Sequence, residues 1–138
     1  MGLIRNSTLI LACLLALGGC GEAKLLRTEG RLLKGGDDFI PEDGEYIQIT
    51  FVPIPKDGEF ATDYYYAEVD QDLGTFRPAG KNGKGMPSGK YRVAVELMKN
   101  RKDQFGGRFD TVQSPFVFDV DASTDEIVID LDQPPAAA

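Results

Sequence analysis

Histidine is absent from this 138-residue sequence. Its absence excludes Ser-His-Asp and Cys-His nucleophilic catalysis and every zinc or copper site built on imidazole. Cysteine is nearly absent. Cys13 and Cys20 are the only two, so the body of the chain has no disulfide, thiolate nucleophile or cysteine-held metal. Long apolar runs are missing as well. The run from Leu9 to Leu17 falls short of the about 20 residues that a membrane-spanning helix needs. From Leu25 onward no 3.6-residue apolar period appears. Basic charge is scarce, with 15 Lys and Arg against 22 Asp and Glu. What these absences leave open is carboxylate chemistry and oxygen-ligated calcium, which need only Asp and Glu.

The N-terminus is the most informative stretch that is present. Met1 to Asn6 carries one charge, Arg5, and is followed by the apolar run and then small residues. That order is the order of a secretory signal. Its close, Leu17-Gly18-Gly19-Cys20, resembles the lipobox of bacterial lipoproteins. The resemblance implies cleavage after Gly19, a diacylglyceryl thioether on Cys20, and acylation of the new N-terminus with a fatty acid such as palmitate. Each buried methylene contributes about 0.8 kcal/mol, so three chains on one residue make detachment negligible. Gly21, in place of Asp, resembles the outer-membrane sorting pattern. The expectation is a domain outside the cytoplasm, lipid-anchored in the bacterial cell envelope.

Without residues 1–19 the chain keeps 119 residues, enough for one domain with one core. Loss of Arg5 takes the net charge from −7 to −8. Acidity and export both argue against a nucleic-acid partner. The acidic balance also disfavours lying flat on anionic lipid. The lipidated residue and a short tether occupy 20–24, the domain 25–132, and a loose Pro- and Ala-rich tail 133–138.

Within the domain the apolar residues repeat every second position. Ile47, Ile49 and Phe51 share a face, against Tyr46, Gln48 and Thr50. Tyr91, Val93, Val95 and Leu97 do the same, as do Phe116, Phe118 and Val120, and Ile127, Ile129 and Leu131. Such alternation offers one side of a strand to a core. Weaker patterns predict strands over 26–33, 63–70 and 75–77. Turn residues separate them at 34–37, 56–58, 70–74, 87–89 and 121–125. About seven short strands with such spacing predict an all-β, antiparallel sandwich.

"EGRLLKGG" followed by "YIQITFVPI", then "YAEVDQDLGTF", "GMPSGKYRVAVEL" and "SPFVFDVDASTDEIVIDL", resembles bacterial carboxypeptidase regulatory-like domains. The resemblance implies a transthyretin-like, immunoglobulin-like sandwich, with the last motif as a closing hairpin. It also implies a small exported lipoprotein without peptidase activity or cofactor. Leu73 interrupts the acidic-Gly turn of that pattern, and 103–113 is a long, insertion-like loop.

Several groups of residues are candidates for binding. Tyr64 and Tyr66 fall on the outer side of their strand and form an aromatic platform for a sugar or a partner's side chain, or else they cover the sandwich edge. Lys99, Arg101, Phe105 and Arg108 mix basic and aromatic character in one loop. With the two tyrosines they form the expected contact surface for another envelope protein or a glycan. Asp119, Asp121, Ser123 and Asp125 space oxygens two apart, as in a calcium loop. Thr124 and Asp130 stand where Gly and Glu belong, so the competing reading is a turn capped by its own side chains. Gly80 to Gly85 resembles a phosphate loop but opens no helix. Asp57, Glu59 and Asp63 have no fixed separation that would support glycoside hydrolysis. The expected function is a non-catalytic structural or protein-interaction module; the alternative is a glycan- or ligand-binding module using the tyrosines.

Overall fold

The computed structural model describes residues 23–57, 61 and 63–135. Within them lie nine strands and no helix: β1 Glu29–Lys34, β2 Asp37–Asp38, β3 Glu45–Pro53, β4 Tyr65–Asp70, β5 Thr75–Pro78, β6 Gly89–Lys99, β7 Lys102–Asp103, β8 Val117–Val120 and β9 Glu126–Asp130. Two of the nine, β2 and β7, are two-residue strands at hairpin ends, and the rest correspond to the seven expected.

The strands join into one unclosed sheet that folds over on itself as a sandwich. Strand β4 makes the fold-over. Its first residues pair with β3, through Tyr65 to Phe51 and Tyr66 to Thr50. Its later residues pair with β5, from Ala67 opposite Pro78 to Asp70 opposite Thr75. One layer is then β9-β1-β5-β4 and the other β4-β3-β6-β8.

Two pairings depart from expectation. Strands β8 and β9 form no closing hairpin: β8 pairs with β6, and β9 pairs with β1. The turn at 121–125 therefore crosses from one layer to the other. The β1–β9 pair is also parallel, within an otherwise antiparallel architecture. A crossing turn can deliver β9 beside β1 in that direction, because the two strands are joined by most of the chain and not by a tight hairpin.

The core lies between the layers. Ile47, Ile49, Phe51, Tyr91, Val93, Val95, Phe116, Ile127 and Ile129 are buried, as their alternation predicts. Phe118 is only half-buried, because β8 lies at the layer's edge. Phe51 sits 6.2 Å from Phe76 of the opposite layer, an aromatic contact across the core, and edge-on at 6.0 Å to Tyr91 of its own layer. Gly30 is paired with Phe76, whose ring occupies the space a Cβ at Gly30 would take.

Candidate interaction surface

The outer faces of the two layers carry different chemistry. On the β9-β1-β5-β4 layer, Arg31 donates to Glu126 at 2.7 Å and Arg77 to Glu68 at 3.0 Å. Arg27 adds to Glu68 and Arg31 to Asp38. A shallow hollow of about 590 Å³ runs among these side chains. Exposed pairs of this kind contribute about 0–1 kcal/mol each and leave a solvated, self-satisfied face.

The face of the β4-β3-β6-β8 layer is aromatic. Even-numbered residues of β3 point outward, so Tyr46 and Gln48 are exposed. Tyr46 is 44% exposed, Tyr64 42% and Tyr66 60%. Thr50 and its cross-strand partner Ala94 lie on the same side, yet both are buried, since they are small beneath larger neighbours. Beyond Tyr66, β4 turns away from β3. The gap is a groove of about 350 Å³ lined by Tyr46, Gln48, Tyr66, Ala67, Val69 and Gln71 among others. At one end of this groove the Gln71 side chain closes the space against Ile47, accepting its N–H at 2.7 Å and donating to its carbonyl at 2.9 Å. Tyr46 and Gln71 were not singled out from sequence. Tyr46 was legible as the outward partner of Ile47, whereas Gln71 sits in a turn whose position depends on where β4 bends.

Tyr65, between the two exposed tyrosines, turns inward and meets Tyr91 edge-on at 6.0 Å. The platform reading of Tyr64 and Tyr66 keeps the exposure it needs. The loop does not adjoin them, however. Strands β3 and β6 lie between β4 and the 103–113 segment, a width of about 14 Å at three strand spacings.

The loop is built, not loose. Lys99 pairs with Glu45 at 3.2 Å. Asp103 accepts from the Leu97, Phe105 and Gly107 amides, and Asp110 from those of Val112 and Gln113. The amides of Gln113 and Val112, chiefly the former, hold the Asp110 carboxyl below its ordinary range. Phe105 is half-buried against Phe39 and Phe109, and Phe109 is fully enclosed. Arg108 lies over the Phe109 ring at 4.9 Å. Arg101 is exposed at the tip of the β6–β7 hairpin with φ +62°.

The acidic turn is occupied by its own chain. Asp121 accepts from the Ser123 hydroxyl at 2.5 Å and the Ser123 amide at 2.7 Å, and its amide donates to Thr124. Those bonds, the hydroxyl first, lower its carboxyl below the ordinary value. Asp119 lies outward on β8 opposite Lys90, and Asp125 is exposed. Among the described residues no three His, Cys, Asp or Glu side chains converge as metal ligands. Asp70 likewise caps its own turn, accepting from the Asp72 and Leu73 amides. Asp63 pairs with Lys81, while Glu59 lies outside the described residues.

At the end of the sandwich where β1 starts is a cleft of about 790 Å³ lined by Pro53, Tyr65, Pro87, Lys90 and Tyr91 among others. Tyr91 donates to the Pro87 carbonyl at 2.5 Å. Burial, with a smaller contribution from Tyr65, pushes its hydroxyl up to about 12, so it remains a donor. Cys20 lies outside the described residues, and no helix among those described is long and apolar enough to cross a membrane. No family model, curated protein or solved structure matches the chain.

Proposed function

We propose that this protein is a lipid-anchored module of the bacterial cell envelope, of the carboxypeptidase regulatory-like kind. Its sandwich holds another envelope protein and catalyses nothing. The anchor reading is supported by the charged, apolar, small-residue order that ends in Gly19-Cys20. The observation that carries the binding reading is the contrast between the two outer faces. One is satisfied by its own ion pairs, and the other offers Tyr46 and Tyr66 beside a groove. Tyrosine combines a large rigid contact area with a polar tip, the property that enriches it at interfaces.

The glycan reading is the second one the same groove supports. Two exposed tyrosine rings, with Gln48 of β3 lining the same groove, offer stacking faces and a hydrogen-bonding edge. A photo-crosslinking residue in place of Tyr66 in intact cells separates the readings. A protein adduct that disappears in Tyr46→Ala favours the protein partner. Crosslinking to cell-wall glycan under the same control favours the second. Cys20→Ala should abolish fatty-acid labelling and leave an unprocessed precursor; labelling that persists would refute the anchor.

A further inference from the structure

Asn82 and Gly83 form the head of a loop whose neck is closed. The Tyr66 carbonyl accepts from the Ala79 and Gly80 amides at 2.9 and 3.1 Å, and the Gly85 amide donates to the Ala79 carbonyl at 3.0 Å. Leu26 and Met86 then exchange both backbone hydrogen bonds, at 2.7 and 2.9 Å. The neck leaves no room for a side chain. A Cβ at Gly80 would run into the Gly85 carbonyl, and one at Gly85 into the Leu26 carbonyl. The head is the reverse. Asn82 is exposed, and nothing lies within 4 Å of where a Gly83 Cβ would be. Among the described residues neither Asn82 nor Gly83 makes a hydrogen bond, and the only side-chain bond over 81–84 is Lys81 to Asp63.

Those conditions suit one reaction. An asparagine carboxamide carbon can be reached by the backbone nitrogen of the next residue, closing a cyclic imide. When that residue is glycine, no side chain shields the nitrogen and the backbone rotates freely enough to close the ring. In this loop closure breaks no hydrogen bond at either residue. We propose that Asn82 is a site of self-deamidation through Gly83, and that the folded loop converts slowly and irreversibly from amide to carboxylate. The Gly83 nitrogen gives its proton to solvent base, and its electron pair attacks Asn82 Cγ. The Cγ–Nδ2 bond breaks, and ammonia leaves with a proton from water. The imide then takes up one water at either carbonyl. Opening at Cγ leaves an aspartyl residue. Opening at the α-carbonyl leaves an isoaspartyl residue, with Gly83 joined through Cγ. One water is consumed and one ammonia released, and nothing is oxidised or reduced.

Other side chains among those described are placed differently. Asn100 precedes Arg101, and both are held in the two-residue turn between the paired Lys99 and Lys102. Gln71 is tied to Ile47 by both atoms of its amide. Asp43-Gly44 has a similarly open geometry, with φ +81° at the glycine, but begins as a carboxylate and has no amide to lose. The new carboxylate falls in the hollow that Asn82 shares with Asp63, Lys81 and Lys84. It places a second acid beside the Lys81–Asp63 pair. Because the change runs one way, the converted fraction records the age of the folded chain. The site depends on neither the anchor nor the tyrosine face.

The test holds the full chain, folded, in heavy-oxygen water at neutral pH for days and follows the peptide containing residue 82 by mass spectrometry. That peptide should exchange its amide for an acid carrying one heavy oxygen, split between aspartyl and isoaspartyl forms that separate on chromatography. Ammonia should appear in step. The same chain unfolded in guanidinium should react at a similar rate, because the fold restrains the loop head so little. The peptide containing Asn100 should lag many-fold behind in the folded chain. Asn82→Gln, which must close a larger ring, should stay unconverted with the circular dichroism spectrum of the parent. A folded chain that converts at residue 82 many-fold more slowly than the unfolded one overturns the inference. So does conversion at Asn100 as fast as at Asn82, or ammonia release undiminished in Asn82→Gln. The comparisons of folded with unfolded chain and of Asn82 with Asn100 need no substitution, so they decide the matter whatever the variant does.

Discussion

The Gln71 side chain stands in for a strand beside Ile47. Its amide oxygen accepts the Ile47 N–H and its nitrogen donates to the Ile47 carbonyl, as a neighbouring backbone would. The substitute is needed because β4 has left β3 at this point to join β5. Gln71→Ala should destabilise the domain by about 1–2 kcal/mol, with water replacing part of what is lost. Gln71→Glu keeps the acceptor but loses the donor, and should fall between. Urea midpoints of the three proteins at one pH decide it. An unchanged midpoint in Gln71→Ala would mean that water serves Ile47 equally well.

Gly30 admits no side chain. A Cβ would collide with the Phe76 ring and lie 2.8 Å from the Ile127 carbonyl on the other flank. Gly30→Ala should cost about 1–3 kcal/mol through displaced packing, despite the higher strand propensity of alanine. A second substitution, Phe76→Leu, removes the ring and should recover part of that loss. A double mutant no better than the sum of the singles would place the strain elsewhere.

Arg101 occupies a conformation that suits glycine. Asn100 and Arg101 form the two-residue β6–β7 hairpin with φ +51° and +62°, and Lys99 pairs with Lys102 across it. Asparagine followed by glycine is the preferred pair in such a turn. Arg101→Gly should therefore raise stability by about 0.5–1 kcal/mol, offset in part by the greater freedom of an unfolded glycine. Thermal melts against Arg101→Ala, which keeps the Cβ, would show whether relief of φ or loss of charge is responsible.

Acid should weaken the fold through carboxylates held in turns. Asp110 is held low chiefly by the Gln113 amide and Asp121 chiefly by the Ser123 hydroxyl. For Asp130 desolvation pushes upward, but the amides of Asp132, Gly35, Gly36 and Gln133 outweigh it. A carboxyl depressed in the folded state contributes stability that is fully present above its unfolded value. That contribution is lost as pH falls from the ordinary value of 3.8 through the lower folded one. The urea midpoint should drop across that window. Asp110→Asn should lower stability at neutral pH and flatten the acid limb, whereas an acid limb as steep as the parent's would remove Asp110 from the account.

The alternating residues of β3, β6 and β9 determined by themselves which side chains go inside. Two-residue alternation is a property of one extended segment, so Ile47, Val93 and Ile129 face the core whatever strand lies beside them. The same parity placed Tyr66 outside and Tyr65 inside. The early glycine and cysteine pattern, likewise local, carried the anchor reading without any tertiary contact. Pairing is not local. Gly30 and Ile127 are matched across the parallel β1–β9 ladder although nearly the whole domain separates them in sequence, and nothing in either segment names the other. Only the closing of the core put β8 and β9 in opposite layers, folded β4 from one layer into the other, and opened the groove that brings Tyr46 and Tyr66 together. The burial of Met86 and Phe109 was decided the same way. Each lies in a segment without alternation, and each is enclosed where a distant part of the chain, Leu26 for one and Val95 of β6 for the other, hydrogen-bonds to its backbone.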